Sequence, residues 1–559
     1  MNEFVKNLLE VDSIVVIFLF LYLITIMDCT ATRLPYRQAG VFSKIVLDYL
    51  ERSESLAPFV AHTPSIEGIQ KAIEVRKQFP TNRDILVLQL KKQYEFVKIS
   101  SAVQENIDAL SSPATFTITT AHQNNIFTGP LYFIYKILHV IKLAEHLNAS
   151  LPGCKFVPVY YIGSEDADLA ELNHINLDGE QLVWNTKQTG AVGRMKVDRE
   201  FLKLIDAIEG QLAVLPHGEE AVSLIKNSYR LGEDIQTATF KIVNTLFADY
   251  GLIVLLPDNA ALKQQMIKVF EDDLLNQTAS VIVEKTSNRL GELYKVQAHP
   301  RDINLFYLLD DIRERLEVRD SKYHVLNSKI SFSREELLTE LKDHPERFSP
   351  NVILRGLYQE TILPNIAFIG GGGELAYWLE LKDLFDHYKV PYPVQLLRNS
   401  FLIIEKKWQE KINKLGFTTG EIFLPEQELI NQLVARETNK KLELNGTLSA
   451  TEQLYASIKE QASSIDITLA KHVESLKTTT LYRLHELEKK MLRAEKRKFS
   501  DQQRQIHSFR EKLFASNGLQ ERQDNMLYYY AKWGASFISK LYDHSLTFDQ
   551  EFVVLSASE

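Results

Sequence analysis

The chain has 559 residues, 45% hydrophobic and 25% charged, with a formal net charge of -9. That length suggests two to four structural units with ordinary globular cores. The acidic balance argues against a molecule built to bind nucleic acid or an anionic membrane, and Cys29 and Cys154 alone make neither a disulfide framework nor a zinc site.

Residues 14–27 (IVVIFLFLYLITIM) form an apolar run of 14 residues. A spanning helix needs about 20, and Glu3, Glu10 and Asp12 do not suit a signal peptide. The reading taken is that residues 1–26 are an extension from a misplaced start and that translation begins at Met27; a membrane anchor and a packed helix are the alternatives.

From residue 27 to about 400, short apolar runs alternate with helical patterns: 115–120 (TFTITT), 156–162 (FVPVYYI), 252–256 (LIVLL) and 366–369 (IAFI). This predicts an α/β core with a parallel sheet covered on both faces. The first run leads into AHQNNIFTGP and a helix from near Leu131. Such a loop offers free N–H groups and a helix dipole to a phosphate or carboxylate. His122 brings a hydrogen bond or a positive charge, Thr128 a hydroxyl, and Gln123 and Gly129 share the loop. The alternative is an ordinary turn with Thr128 as helix cap.

The second run leads into GSEDADLAELNH. Glu165, Asp166 and Asp168 repel one another unless a cation joins them, a substrate ammonium, an Arg or Mg²⁺; acidic capping of the next helix is the alternative. His174 closes this segment. The fourth run leads into Gly370, Gly371, Gly372 and Gly373, then Glu374 at a helix start. Four glycines let a main chain approach a ligand closely, and Glu374 can bind or deprotonate an amine. Arg355, Tyr358, Gln359 and Glu360 form a polar array at helical spacing, and Arg398 and Asn399 end the core.

Beyond residue 401 the pattern changes. Residues 451–516 read as long helix, with Leu469, Val473, Leu476, Thr480, Leu484, Leu487, Met491 and Ala494 as a heptad seam. The tail at 552–555 turns strand-like. The expected organisation is a core at 27–400, a helical coiled coil at 401–525, and a segment at 526–559 returning to the core.

HQNNIFTGPLYFIYKI, VPVYYIGSEDADLAELNHI, GAVGRM (190–195), INLFYL (303–308), FSPNVILRGLYQETILPNIAFIGGGGELAYWLEL and LQERQDNMLYYYAKWG occur in that order. Together they resemble the cysteine-adding enzymes of bacillithiol biosynthesis, the BshC family of cysteine ligases. The resemblance runs from Met27 essentially to the end and agrees with a start there. It implies a Rossmann-like core of the class I aminoacyl-tRNA synthetase type with inserted segments, a dimerising coiled coil, and addition of cysteine to glucosaminyl-malate in the cytoplasm. His122 matches the synthetases' signature histidine, and the cluster at 165–168 lines the substrate pocket. Relatives often carry histidine where Ala167 stands and proline where Gly356 stands, so no role is expected of position 167.

Amide formation from a carboxylate is uphill in water, so ATP is expected to activate cysteine, with Mg²⁺ at most accompanying it and no protein metal site. His122, Asp166 and Glu374 are then expected to be catalytic. Glu165, Asp168, His174, Arg355, Tyr358, Gln359, Arg398 and Asn399 are expected to bind substrate, with an arginine gripping malate carboxylates. Gln123, Thr128, Gly129 and the four glycines are expected to bind the nucleotide. The competing readings are a ligase with another amino acid or acceptor, and a non-catalytic nucleotide-binding dimeric scaffold.

Overall fold

The computed structural model describes residues 27–438 and 443–558; the expected N-terminal extension, residues 1–26, lies outside these. Five parallel strands form the central sheet: β1 (Thr115–Gln123), β2 (Lys155–Gly163), β3 (Ile253–Leu255), β4 (Asn365–Gly370) and β5 (Val394–Leu397). β1 and β2 are buried along almost their whole length. Both faces are covered, which is why their sequences are continuous apolar or threonine runs rather than alternating ones.

The strand order is β5-β4-β1-β2-β3. Winding proceeds outward from β1 in one direction through β2 and β3, then returns to its other side with β4 and β5. The reversal opens a crevice beyond the carboxyl ends of β1 and β4, where doubly wound sheets bind ligands. Three helices border it: α1 (Tyr132–Ser150), which packs on β1 and β2, α2 (Val352–Ile362) and α3 (Gly372–Leu379). α2 is started by Asn351, whose side chain accepts the Ile353 N–H at 2.9 Å.

Two further sheets attach to this core. An antiparallel insertion joins Leu305–Leu308, Arg313–Arg319, Lys322–Val325, Ser331–Phe332 and Phe348–Pro350. The strand-like tail forms Glu551–Ala557, seated between Cys29–Pro35 and Ser400–Ile404.

The chain divides into two units, one reaching residue 403 and resuming at 519, the other spanning 404–518. The second is helical. The expected long helix at 451–516 is instead a hairpin of α4 (Asn445–Ile465) and α5 (Leu469–Lys496), followed by Ser500–Leu513. Asp466 Oδ1 accepts from both the N–H and the hydroxyl of Thr468, each at 2.8 Å, and so stabilises the turn between the two helices. Tyr455 and Thr480 hydrogen-bond across the hairpin at 2.8 Å, placing the polar seam position against a partner. Val473 is buried, while Leu469, Leu476 and Leu487 remain 39–47% exposed within the single chain. Among the described residues, no helix is long and apolar enough to cross a membrane.

Candidate active site

The crevice between β1 and β4 holds a cavity of about 420 Å³. Its wall is built from Ala121, His122 and Gln123 at the end of β1, residues 161–166 at the end of β2, and Gly371, Gly372, Gly373 and Glu374 after β4. α1 adds Tyr132 and Lys136, α2 adds Arg355, and Tyr377, Arg398 and Arg522 complete one side. Pro350, Asn351 and Arg313 come from the antiparallel insertion and its exit. The three polar loops singled out in the sequence therefore meet in one place.

His122 is buried, and its Nε2 has no hydrogen-bond partner among the described residues. Burial, then the neighbouring Lys136 and Arg398, push its pKa well below the usual histidine range. At neutral pH this side chain is a neutral hydrogen-bonding group, not the positive charge entertained from sequence. Asp166 accepts from Gln123 Nε2 at 2.8 Å and from the Asp168 N–H at 3.1 Å. No cation forms an ion pair with it among the described residues.

The other acidic groups have internal partners. Glu374 takes the Gly371 N–H at 2.8 Å and pairs with buried Lys136, whose ammonium also donates to the Ala121 carbonyl at 2.9 Å. Desolvation pushes the Lys136 pKa down, with Glu374 opposing it. Glu165 pairs with Lys263, a fully buried side chain 3.7 Å from Asp258. Asp258 in turn receives Arg194 in two bonds of 2.7 and 2.8 Å. Arg398 is engaged as well: Glu521 takes both its terminal nitrogens, at 2.9 and 2.7 Å. Its guanidinium lies 4.9 Å from the Tyr132 ring centroid. Arg355 meets Tyr377 Oη at 2.7 Å and Gln359 at 3.4 Å, with no carboxylate partner among the described residues.

Eight of the expected site residues lie outside the wall. Thr128 does not cap α1, which begins at Tyr132 without a side-chain cap. Phe127, Thr128 and Gly129 all have positive φ, 47°, 70° and 65°, which turns Thr128 into the core with its hydroxyl unpartnered. A Cβ on Gly129 would stand 2.7 Å from that of Asn125. The α1 N-terminus is not open either, since Leu131 N–H is taken by the Asp524 carbonyl at 2.8 Å. Asp168 caps the short helix Leu169–Leu172 by accepting the Glu171 N–H at 3.3 Å. His174 starts a two-stranded ribbon beside Asn173. Tyr358 is buried on the Pro257 carbonyl, at 2.7 Å, and Gln359 on Glu360, at 2.9 Å. Asn399 accepts the Leu546 N–H at 2.9 Å, and Gly370 accepts the Arg398 N–H at 2.8 Å. Glu360, in the same helical array, is a buried partner of Arg76 at 2.6 Å.

Sequence reasoning missed Lys136, Arg313, Arg522 and the tyrosines Tyr132, Tyr161 and Tyr377. Lys136 carried a usable signal: it is a cation set among apolar residues in the first turns of a helix that opens at the crevice.

A model of the bacillithiol biosynthesis BshC N-terminal Rossmann-like domain matches residues 27–399, and one of the BshC C-terminal coiled-coil domain matches 401–557. A Flavobacterium johnsoniae protein named "Putative cysteine ligase BshC" is 37% identical over 95% of this chain and 99% of its own. One of the same name from Flavobacterium psychrophilum is 39% identical over 92% and 97%. A solved Campylobacter jejuni structure described as a "putative arginyl t-RNA synthetase" covers 81% of this chain and 100% of its own, at 11% identity and a TM-score of 0.20. Matched in order by both domain models and by relatives nearly end to end, the chain belongs to the bacillithiol biosynthesis BshC family.

Proposed function

We propose that this chain is a ligase that joins the carboxyl group of cysteine to the amine of glucosaminyl-malate, with a nucleoside triphosphate as the activating co-substrate. The observation that carries this reading is what remains after the cavity's own charges are paired off. Lys136 is matched by Glu374, Arg398 by Glu521 and Glu165 by Lys263. Asp166 is left to receive an ammonium group, and Arg313 and Arg355, which have no carboxylate partner among the described residues, leave the wall a positive complement for an anionic one. An acceptor carrying both an amine and carboxylates has that complement. The names of the BshC relatives support cysteine as the second substrate.

The cavity fits a nucleotide on three counts. Its size lies in the ordinary range for small-molecule sites. His122 Nε2 and Ser164 Oγ are buried without partners, and the Gly372 and Gly373 N–H groups at the start of α3 have none among the described residues. A Cβ on Gly373 would meet nothing within 4 Å, so the main chain there is open to a ligand. Gln123, His122, Gly371, Gly372 and Gly373 would hold the nucleotide, whose chemistry is to turn a carboxylate oxygen into a leaving group. Among the described residues no three His, Cys, Asp or Glu side chains are grouped to hold a metal ion, and no step is assigned to Mg²⁺.

Asp166 has the catalytic part. Its carboxylate holds the acceptor's ammonium group and takes one proton from it; the free amine then attacks the activated acyl carbon, and its second proton passes to solvent as the activated oxygen leaves with the nucleotide's phosphate. Neutral His122 offers a hydrogen bond to charge developing at the leaving oxygen without adding a cation. Glu374 acts through Lys136 and the Gly371 N–H, as a positioning residue. The cytoplasm, which supplies the nucleotide, is the compartment this reading takes, and exposed Leu469, Leu476 and Leu487 support pairing of two copies through the hairpin.

The test is product formation from ATP, glucosaminyl-malate and each amino acid in turn. Product is expected with cysteine alone, and is expected to disappear in His122→Ala and Asp166→Asn with oligomeric state unchanged. Wild-type product from both variants, or equal product with other amino acids, would overturn the reading.

A further inference from the structure

Arg313 opens a strand of the antiparallel insertion, yet its side chain reaches the cavity wall. Its Nε donates to Ser349 Oγ at 3.1 Å, and that hydroxyl donates to Glu165 Oε2 at 3.0 Å. The guanidinium carbon stands 4.0 Å from the centroid of the Phe306 ring. A bond at Nε and a ring against one face fix both the position and the plane of the group. Its two terminal nitrogens have no hydrogen-bond partner among the described residues, and no carboxylate there forms an ion pair with it.

The other cations of the wall differ. Lys136 and Arg398 have carboxylate partners, Arg355 has both terminal nitrogens engaged, and Arg522 is exposed. Arg313 is thus oriented by the protein without being filled by it. Holding a half-buried guanidinium in this state is unfavourable unless a ligand completes it.

We propose that Arg313 is a specificity-determining residue whose two terminal nitrogens receive one carboxylate of the acceptor in a bidentate pair. This rests on the ligase reading and names which group of the acceptor binds where. The electrostatic surroundings favour a carboxylate over a nucleotide phosphate chain. Asp166 and Glu165 both act on this guanidinium, and two fixed anions repel a polyphosphate more strongly than a single carboxylate. Asp166, which would hold the amine, lines the same cavity as Arg313 and acts on it electrostatically, so one acceptor can engage both.

The experiment is titration calorimetry of malate, and separately of ATP, into wild type, Arg313→Gln, Arg313→Lys and the control Arg319→Gln, which lies exposed on the same strand. Melting curves establish that each variant is folded, and Arg313→Lys, which keeps the charge, decides if the glutamine variant is not. Malate binding is expected to weaken roughly 10–100-fold in Arg313→Gln, the loss of a charge-assisted pair. Arg313→Lys should recover only part of it, because an ammonium cannot fork, while ATP binding and the control stay unchanged. Malate binding equal to wild type in Arg313→Gln overturns the proposal. So does a loss confined to ATP, which would assign the fork to phosphate, and so does a wild type that binds no malate. Product assays separate the two readings. Absence of product with the malate result intact sinks the ligase reading alone; product with unaltered malate binding in Arg313→Gln sinks this inference alone.

Discussion

Replacing Glu521 by Gln tests the wall of the site through its most buried ion pair. Glu521 is fully buried and takes both terminal nitrogens of Arg398, which is itself 3% exposed. The amide keeps one acceptor oxygen and loses the charge, leaving a guanidinium buried without its counterion. Breaking such a pair costs about 3–5 kcal/mol; the retained oxygen puts this case near the lower end. A domain of 150–250 residues shifts by about 2–4 °C per kcal/mol, and a larger unit by less, so a fall of roughly 3–6 °C is expected. Scanning calorimetry reads it. A second signature is specific to the pairing: Arg398 lines the cavity, so malate should raise the melting temperature of Glu521→Gln more than that of wild type. The double variant Arg398→Met/Glu521→Leu, with no charge left to desolvate, should regain at least part of the loss. A Glu521→Gln protein that melts within about 1 °C of wild type and responds to malate identically would refute the reasoning.

Three further outcomes are expected. Burial raises the Asp273 pKa from 3.8 to about 7, against the donors of Asn304. The folded state therefore favours its protonated form, and the stability this group contributes is present below about pH 4 and lost as pH rises through 7; melting temperatures of Asp273→Asn should gain on wild type across that window, and a constant difference would contradict this. Asn525→Asp removes the amide that donates to the carbonyls of Phe127 and Gly129 at 2.9 and 2.7 Å. It should cost about 2–4 kcal/mol and expose the 127–129 turn to limited proteolysis, with wild-type protection as the contrary result. If two copies pair through the hairpin as proposed, wild type should have the mass of a dimer by light scattering and Leu476→Glu with Leu487→Glu that of a monomer, without loss of helix content; a monomeric wild type or an unchanged mass would refute the pairing.

Much of the core was legible because parallel strands buried on both faces leave apolar runs, and the loops at 122, 165 and 370 follow directly from those runs. What the pattern did not convey was occupancy. Arg398 reads as a free cation until Glu521, 123 residues later, is seen to fill it, and Glu374 reads as a free base until Lys136 is found against it. Thr128 reads as a nucleotide-binding hydroxyl, or else a helix cap, because nothing in FTG announces three consecutive residues of positive φ. Arg313 was invisible for a different reason. It sits in RERLEVR, an alternation proper to a half-exposed strand, and only the packing of the insertion turns its first arginine inward. In the hairpin, the heptad seam lies wholly within α5, and nothing in the sequence pattern marked the reversal at 466–468 that precedes it.

The short stretch from Gln520 to Asn525 has a consequence for biogenesis. It bonds to the main chain of Ile403, neutralises Arg398, supplies Arg522 and ties down the turn after β1. All of this comes after the helical unit in the order of synthesis. A ribosome that has delivered the five-stranded sheet has therefore made a half-finished vessel, with an unmatched guanidinium and a loose lip. Premature termination anywhere in the helical unit yields a chain lacking the stretch that completes the vessel, so competence arrives only with the last tenth of translation.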